Sequence, residues 1–161
     1  KCAVMYSTVA RFEKAHGGNG IWGLAAADGL LASGSIDGSV NMWKVEERAM
    51  CVTSSWYHST AVLSTSLQGG ILATSFIMGT VLISHAGTGE VLESIDLLPG
   101  QAGQVAVRPC GQLVAVACGT QGLMLYHVPS RNRQFLSCEA WCSCVGFNYA
   151  GTLLAAGCQD G

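Results

Sequence analysis

The chain has 161 residues, half of them hydrophobic and only 11% charged, with a formal net charge of −2 and a pI near 6. There is apolar material for a core, but no basic excess of the kind a nucleic-acid binder shows. Eight cysteines in so regular a chain do not read as a disulfide scaffold, so free thiols in a reducing, cytoplasmic or nuclear setting are expected. Two stretches, Ser59 to Gly89 and Gln101 to His127, are almost uncharged. Gly, Ser, Thr and Gln interrupt them at turn spacing, so neither is expected to span a membrane.

In chain order, Val9 to Lys14 alternates weakly and reads as an outer strand. The Gly17-Gly18-Asn19-Gly20 loop has no helix start and no G-K-[ST] after it, so it is not a phosphate cradle. Ile21 to Ala26 reads as a strand, as do Leu30 to Ile36 and Ser39 to Val45. Between the last two lies Asp37-Gly38, a pair suited to a hairpin turn because Gly takes positive φ freely and Asp tolerates it. Glu46-Glu47-Arg48 is a solvated outer loop. Met50 to Ser55 starts the next outer strand, ending at Trp56-Tyr57-His58, with His58 in the place of His16. The pattern then recurs in weaker form. Met78-Gly79 stands where Asp37-Gly38 stood, and Ser84 where Trp43 stood. Glu90 to Asp96 is an outer strand before Pro99-Gly100. Arg108-Pro109-Cys110-Gly111 is a turn, and Tyr126 partly replaces the Trp. Gln134 to Ser137, Cys144 to Gly151 and Leu153 to Gln159 follow as strand, strand-turn and strand.

Gly29, Gly70, Gly111 and Gly151 each open an apolar run, at intervals of 41, 41 and 40 residues. Four registers at nearly one period, with short strands in each, resemble the WD-repeat family. The resemblance implies an all-β fold: a partial β-propeller of about three to four four-stranded blades over 1–161, with units of roughly 9–45, 50–86, 90–128 and 134–161. Seven blades at this period need about 290 residues, so the chain is expected to be a fragment. A half-propeller with raw blade faces is not expected to be stable alone. His16, Ser33, Asp37 and Trp43 match the family's polar pattern. This implies a structural network within one blade rather than a catalytic His–Asp pair.

Three patches carry a narrower resemblance. They are Ala15-His16 followed by Ile21-Trp22; Val40 to Lys44 with its Glu46-Glu47-Arg48 loop; and Glu93-Ser94-Ile95-Asp96 before Pro99. Together they resemble the WD-repeat subunits of the superkiller (SKI) complex. That resemblance implies a non-catalytic scaffold holding a tetratricopeptide protein and a helicase for exosome-dependent 3′-to-5′ mRNA decay. A role in transcription elongation is implied as well. The alternative is a WD-repeat adaptor of another complex, such as a ubiquitin-ligase substrate receptor. No cofactor, direct nucleic-acid contact or membrane contact is expected.

Enzyme motifs such as G-x-S-x-G, H-E-x-x-H and the P-loop are absent from the sequence. Cys138, Cys142 and Cys144 (C-x3-C-x-C) match no zinc knuckle, and Cys142 and Cys144 should share one strand face. Apolar packing is expected of them, as of Cys51, Cys110, Cys118 and Cys158, and no metal. The expected interaction surface is one propeller rim: Asn19, Trp22, Ile36, Ser59, Met78, Gln101, Trp141 and Gln159. Trp56 and Tyr57 would extend that patch or fill the space between blades.

Overall fold

The protein is described from a computed structural model, covering residues 13–45 and 50–160. Fourteen strands form antiparallel sheets, and no helix occurs among these residues. The first sheet is β1 (Ile21–Ala27), β2 (Leu30–Ser35), β3 (Ser39–Val45) and β4 (Met50–Tyr57), in that order. The second is β5 (Val62–Gln68), β6 (Ile71–Phe76), β7 (Thr80–His85) and β8 (Val91–Asp96). The third is β9 (Val105–Val107), β10 (Leu113–Ala117), β11 (Leu123–His127) and β12 (Asn132–Leu136). The fourth has two strands, β13 (Cys142–Phe147) and β14 (Leu154–Cys158).

Each sheet is an up-and-down meander whose first strand lies against the first strand of the next: β1 on β5, β5 on β9, β9 on β13. This is the arrangement of a β-propeller, partial and not closed. The sheets are phased differently from the sequence repeat. β4, β8 and β12 each complete one sheet, although the repeat units at 50, 90 and 134 begin with them. Val9 to Phe12 lies outside the described residues, and Glu13 and Lys14 form a turn rather than the end of a strand.

Alternation along the strands puts apolar side chains into the seams between sheets. Ala32, Val40 and Met42 meet Val62, Leu72 and Phe76 in the first seam. Ile83 and Ile95 meet Val105, Val114 and Met124 in the second. Ala115, Ala117 and Leu123 meet Cys142 and Val145 in the third. Each large side chain buried there contributes about 1.5–3 kcal/mol, so every blade is stabilised by its neighbours more than by itself.

Polar staples reinforce the seams with the repeat's own spacing. Ser66 Oγ accepts from Val107 N at 3.0 Å, Ser64 Oγ from Val105 N at 3.4 Å, and Gln104 Oε1 from Val145 N at 3.1 Å. In all three the partners are 41 residues apart. A side chain on one innermost strand thus satisfies the backbone of the next.

The β2–β3 hairpin shows why Gly38 is required. Its φ is +88°, and a Cβ there would stand 1.9 Å from the His58 carbonyl oxygen. The close approach lets His58 N donate to Gly38 O at 3.0 Å, which ties the hairpin to the chain entering the second sheet.

Candidate functional site

The polar residues singled out from the first repeat form one continuous chain of hydrogen bonds. Asp37 accepts from Ser39 N at 2.9 Å and from the Ser39 hydroxyl at 2.5 Å. With its proton committed to Asp37, the Ser39 oxygen accepts from His16 Nδ1 at 2.5 Å. His16 therefore carries its proton on Nδ1, and Nε2 accepts from the Ser33 hydroxyl at 2.8 Å. The Ser33 oxygen in turn accepts from Trp43 Nε1 at 2.8 Å. Every donor in this order has one acceptor when the imidazole is neutral. Burial pushes the His16 pKa below its ordinary 6.5 despite the opposing charge of Asp37, in keeping with that assignment. The two bonds from Ser39 hold the Asp37 carboxyl down at about 2.

This arrangement does structural work. Its hydroxyls are fully engaged and His16 is 5% exposed, so no activated nucleophile faces solvent. Asn41 extends the network by donating to Ala15 O at 3.0 Å and accepting from Ser55 at 2.6 Å. The bridging roles of Ser39 and Asn41 were missed at the level of sequence. Ser39 was signalled by its place two residues after Asp37, where an Asx turn offers a donor pair.

The other repeats lack this network. His58 bonds Thr60 at 3.1 Å and stacks on Phe76, so it does not take the part of His16. Ser84 reaches only Leu72 O, at 3.5 Å. Tyr126 is buried in the second seam and donates across it to Glu93 at 3.3 Å, where Arg133 closes a salt bridge at 2.7 Å.

Of the residues assigned to the rim, Trp22 lies near the start of β1 and the others lie in loops and turns, in different states. Asn19 is drawn into the network, donating to Asp37 Oδ2 at 2.9 Å and to His16 O at 3.0 Å. Gln101 accepts from Thr120 N and its hydroxyl at 3.0 and 3.1 Å. Trp141 is half-buried against Gly119. Ser59 and Gln159 are exposed polar positions. Trp22, Ile36 and Met78 are exposed apolar side chains, Trp22 at 56% and Met78 at 54%. Ile77 and Leu98 join them, Leu98 at 60%, and were missed because hairpin and loop apolars carry no periodicity. Tyr57 is exposed, whereas Trp56 packs into the first seam.

Trp22, Leu63, Ser64, Gln104, Ser143 and Cys144 line a cleft of about 400 Å³. The four innermost strands or their lead-ins all contribute, so this is the mouth of the channel the strands surround. Its polar groups Ser64 and Gln104 are spent on the inter-blade staples.

The cysteines depart from expectation. Cys51 and Cys110 are exposed rather than packed. A bulge between Cys142 and Cys144 turns them to opposite faces, Cys142 buried and Cys144 exposed. Among the described residues, the grouping that forms is Cys138, Cys142 and Cys158.

Residues 7–44 match the family model described as WD domain, G-beta repeat. Among solved structures the chain is similar to the computationally designed Ika4 protein, with a TM-score of 0.76 and 17% sequence identity. That match covers 98% of this chain and 95% of Ika4, and it shows the fold. No curated protein sequence matches the chain. These findings define a protein with a WD repeat and a propeller architecture, and they do not single out the superkiller subunits.

Proposed function

We propose that the protein is a non-catalytic WD-repeat scaffold that binds partner proteins through the rim around its channel mouth. The observation that carries this reading is the set of exposed apolar side chains there: Trp22, Ile36, Ile77, Met78 and Leu98. Exposed aromatic and methionine side chains grouped on one face are characteristic of binding surfaces. The network around His16 is buried and satisfied, which favours a scaffold over an enzyme.

The finer reading is a place in a superkiller-type complex assisting exosome-dependent mRNA decay, in the cytoplasm and also in the nucleus. The three sequence patches around His16, Trp43 and Glu93 support it. Partners would be a tetratricopeptide scaffold and a helicase. Affinity purification of the intact protein tests both levels. Recovery of those partners, lost in a Trp22→Ala, Met78→Ala variant that still folds, is the expected result. Recovery of ubiquitin-ligase subunits instead would replace the finer reading. Unchanged partner capture by the folded rim variant would overturn the rim assignment.

A further inference from the structure

The sulfur atoms of Cys138, Cys142 and Cys158 all lie within 4.8 Å of one another. They come from three places: the loop after β12, the start of β13 and the end of β14. We propose that these three thiols form a binding site for one thiophilic d10 metal ion, Zn2+ or Cu+, which clasps the third sheet to the fourth.

The geometry is close to what such an ion needs. Thiolates about 2.3 Å from zinc stand ~3.8 Å apart at tetrahedral corners, so side-chain rotation closes the trio. Cys142 is fixed from the backbone, exchanging bonds with Gly119 of the β10–β11 hairpin at 3.0 and 3.1 Å. The Cys138 segment is pressed onto that same hairpin, its amide nitrogen 2.7 Å from where a Gly122 Cβ would stand. Cys142 is buried, while Cys138 and Cys158 are partly open, which leaves a path for the ion. Three ligands complete a trigonal site for Cu+. For Zn2+ they leave one corner open to water.

Binding Zn2+ releases three protons to solvent and leaves a zinc tris-thiolate of net charge −1; nothing is oxidised or reduced.

One competing chemistry is built into the same residues. Cys142 and Cys158 are direct cross-strand partners, and Gln159 N donates to Trp141 O at 3.0 Å beside them. That is a non-hydrogen-bonded pair, the closer of the two antiparallel spacings. A two-electron oxidant such as a peroxide would join them as a disulfide, with loss of both thiol protons, and destroy the site.

The test uses the intact protein, stripped of metal and kept reduced with a phosphine. Zn2+ and Cu+ are titrated in separate arms against chromogenic chelators, with stoichiometry by native mass spectrometry. Either ion binding one per chain, with Cys138, Cys142 and Cys158 protected together from alkylation, supports the site. The arms decide which ion it prefers. Cys138→Ser and Cys158→Ser should each weaken binding by more than about tenfold, and Cys51→Ser and Cys110→Ser should not. Because protection is mapped on the unmodified protein, the result stands even if a variant misfolds. Failure of both ions to bind overturns the proposal. So does binding that leaves these three thiols open to alkylation, or a Cys142–Cys158 disulfide that persists under the reductant.

Discussion

Replacing His16 by leucine tests whether the hydrogen-bond chain is held by a neutral imidazole. The ring is 5% exposed and bonds Ser39 and Ser33 at 2.5 and 2.8 Å. Leucine removes both bonds and leaves the Ser33 hydroxyl, on a residue 2% exposed, without its acceptor. Stranding the buried Ser33 hydroxyl costs about 1–3 kcal/mol and losing the part-buried bond to Ser39 about 1 kcal/mol, so the change should cost about 2–4 kcal/mol at pH 8. In a chain of this size that is a fall in Tm of about 4–15 °C. The cost should depend on pH in a definite sense. The folded state lowers the His16 pKa below 6.5, so between the two values the unfolded chain holds more protons. Stability from the neutral ring is complete above about pH 6.5 and is lost as pH falls below it. The leucine variant lacks this term, so its deficit should narrow from pH 8 to pH 5. Urea titrations of both proteins at a series of pH values measure it. A deficit that widens on acidification, or one below about 0.5 kcal/mol at pH 8, would refute the neutral-imidazole assignment.

Further expectations follow from neighbouring contacts. Ser39→Ala should raise the Asp37 pKa from about 2 toward its ordinary 3.8, read by NMR titration of the carboxyl carbon; an unmoved value would mean that Ser39 is not its main stabiliser. The acid-side stability from Asp37, present above about pH 4 and lost as pH falls toward 2, should shrink in the same variant. Gly38→Ala should destabilise severely, because the new Cβ meets the His58 carbonyl at 1.9 Å, whereas Gly100→Ala meets nothing within 4 Å. The second change should cost only about 1 kcal/mol from its positive φ, and equal melting shifts for the two would contradict the hairpin contact. Thr65→Val replaces a buried hydroxyl that has no hydrogen-bond partner and should be neutral or stabilising by up to about 1 kcal/mol in thermal melts; clear destabilisation would point to an undetected bond.

The parts of the fold legible in the sequence are those that physics makes periodic. Glycines 29, 70, 111 and 151 mark turns that recur because each sheet must present the same face to its neighbour, so strand type and order follow from them. Strand limits agree to within a residue or two where turns are sharp, as at Asp37-Gly38, and slip at Cys142, where β13 begins two residues before the apolar run suggests. The repeat period also specified the staples, since residue i on an innermost strand meets the backbone of residue i+41; Ser64, Ser66 and Gln104 carry no apolar pattern, so alternation alone passed over them. The four polar residues of the first blade could be read because the family pattern names them, whereas Ser39, the bridge between His16 and Asp37, had only its Asx-turn position to mark it and takes its role from the folded chain.

The cysteines show the sharper limit. Local spacing grouped Cys142 with Cys144, on the assumption of an unbroken strand of period two. The bulge that opens β13 breaks that period, and equivalent register shifts open β1 and β5. With one extra residue in the strand, Cys144 leaves the seam and Cys158, sixteen positions on in the sequence from Cys142, arrives opposite it. A ligand set assembled across a bulged hairpin and a loop from the preceding blade has no linear motif. The register shift that opens β13, like those that open β1 and β5, is what sets Cys142 opposite Cys158, so an irregularity of the innermost strands gathers the thiols.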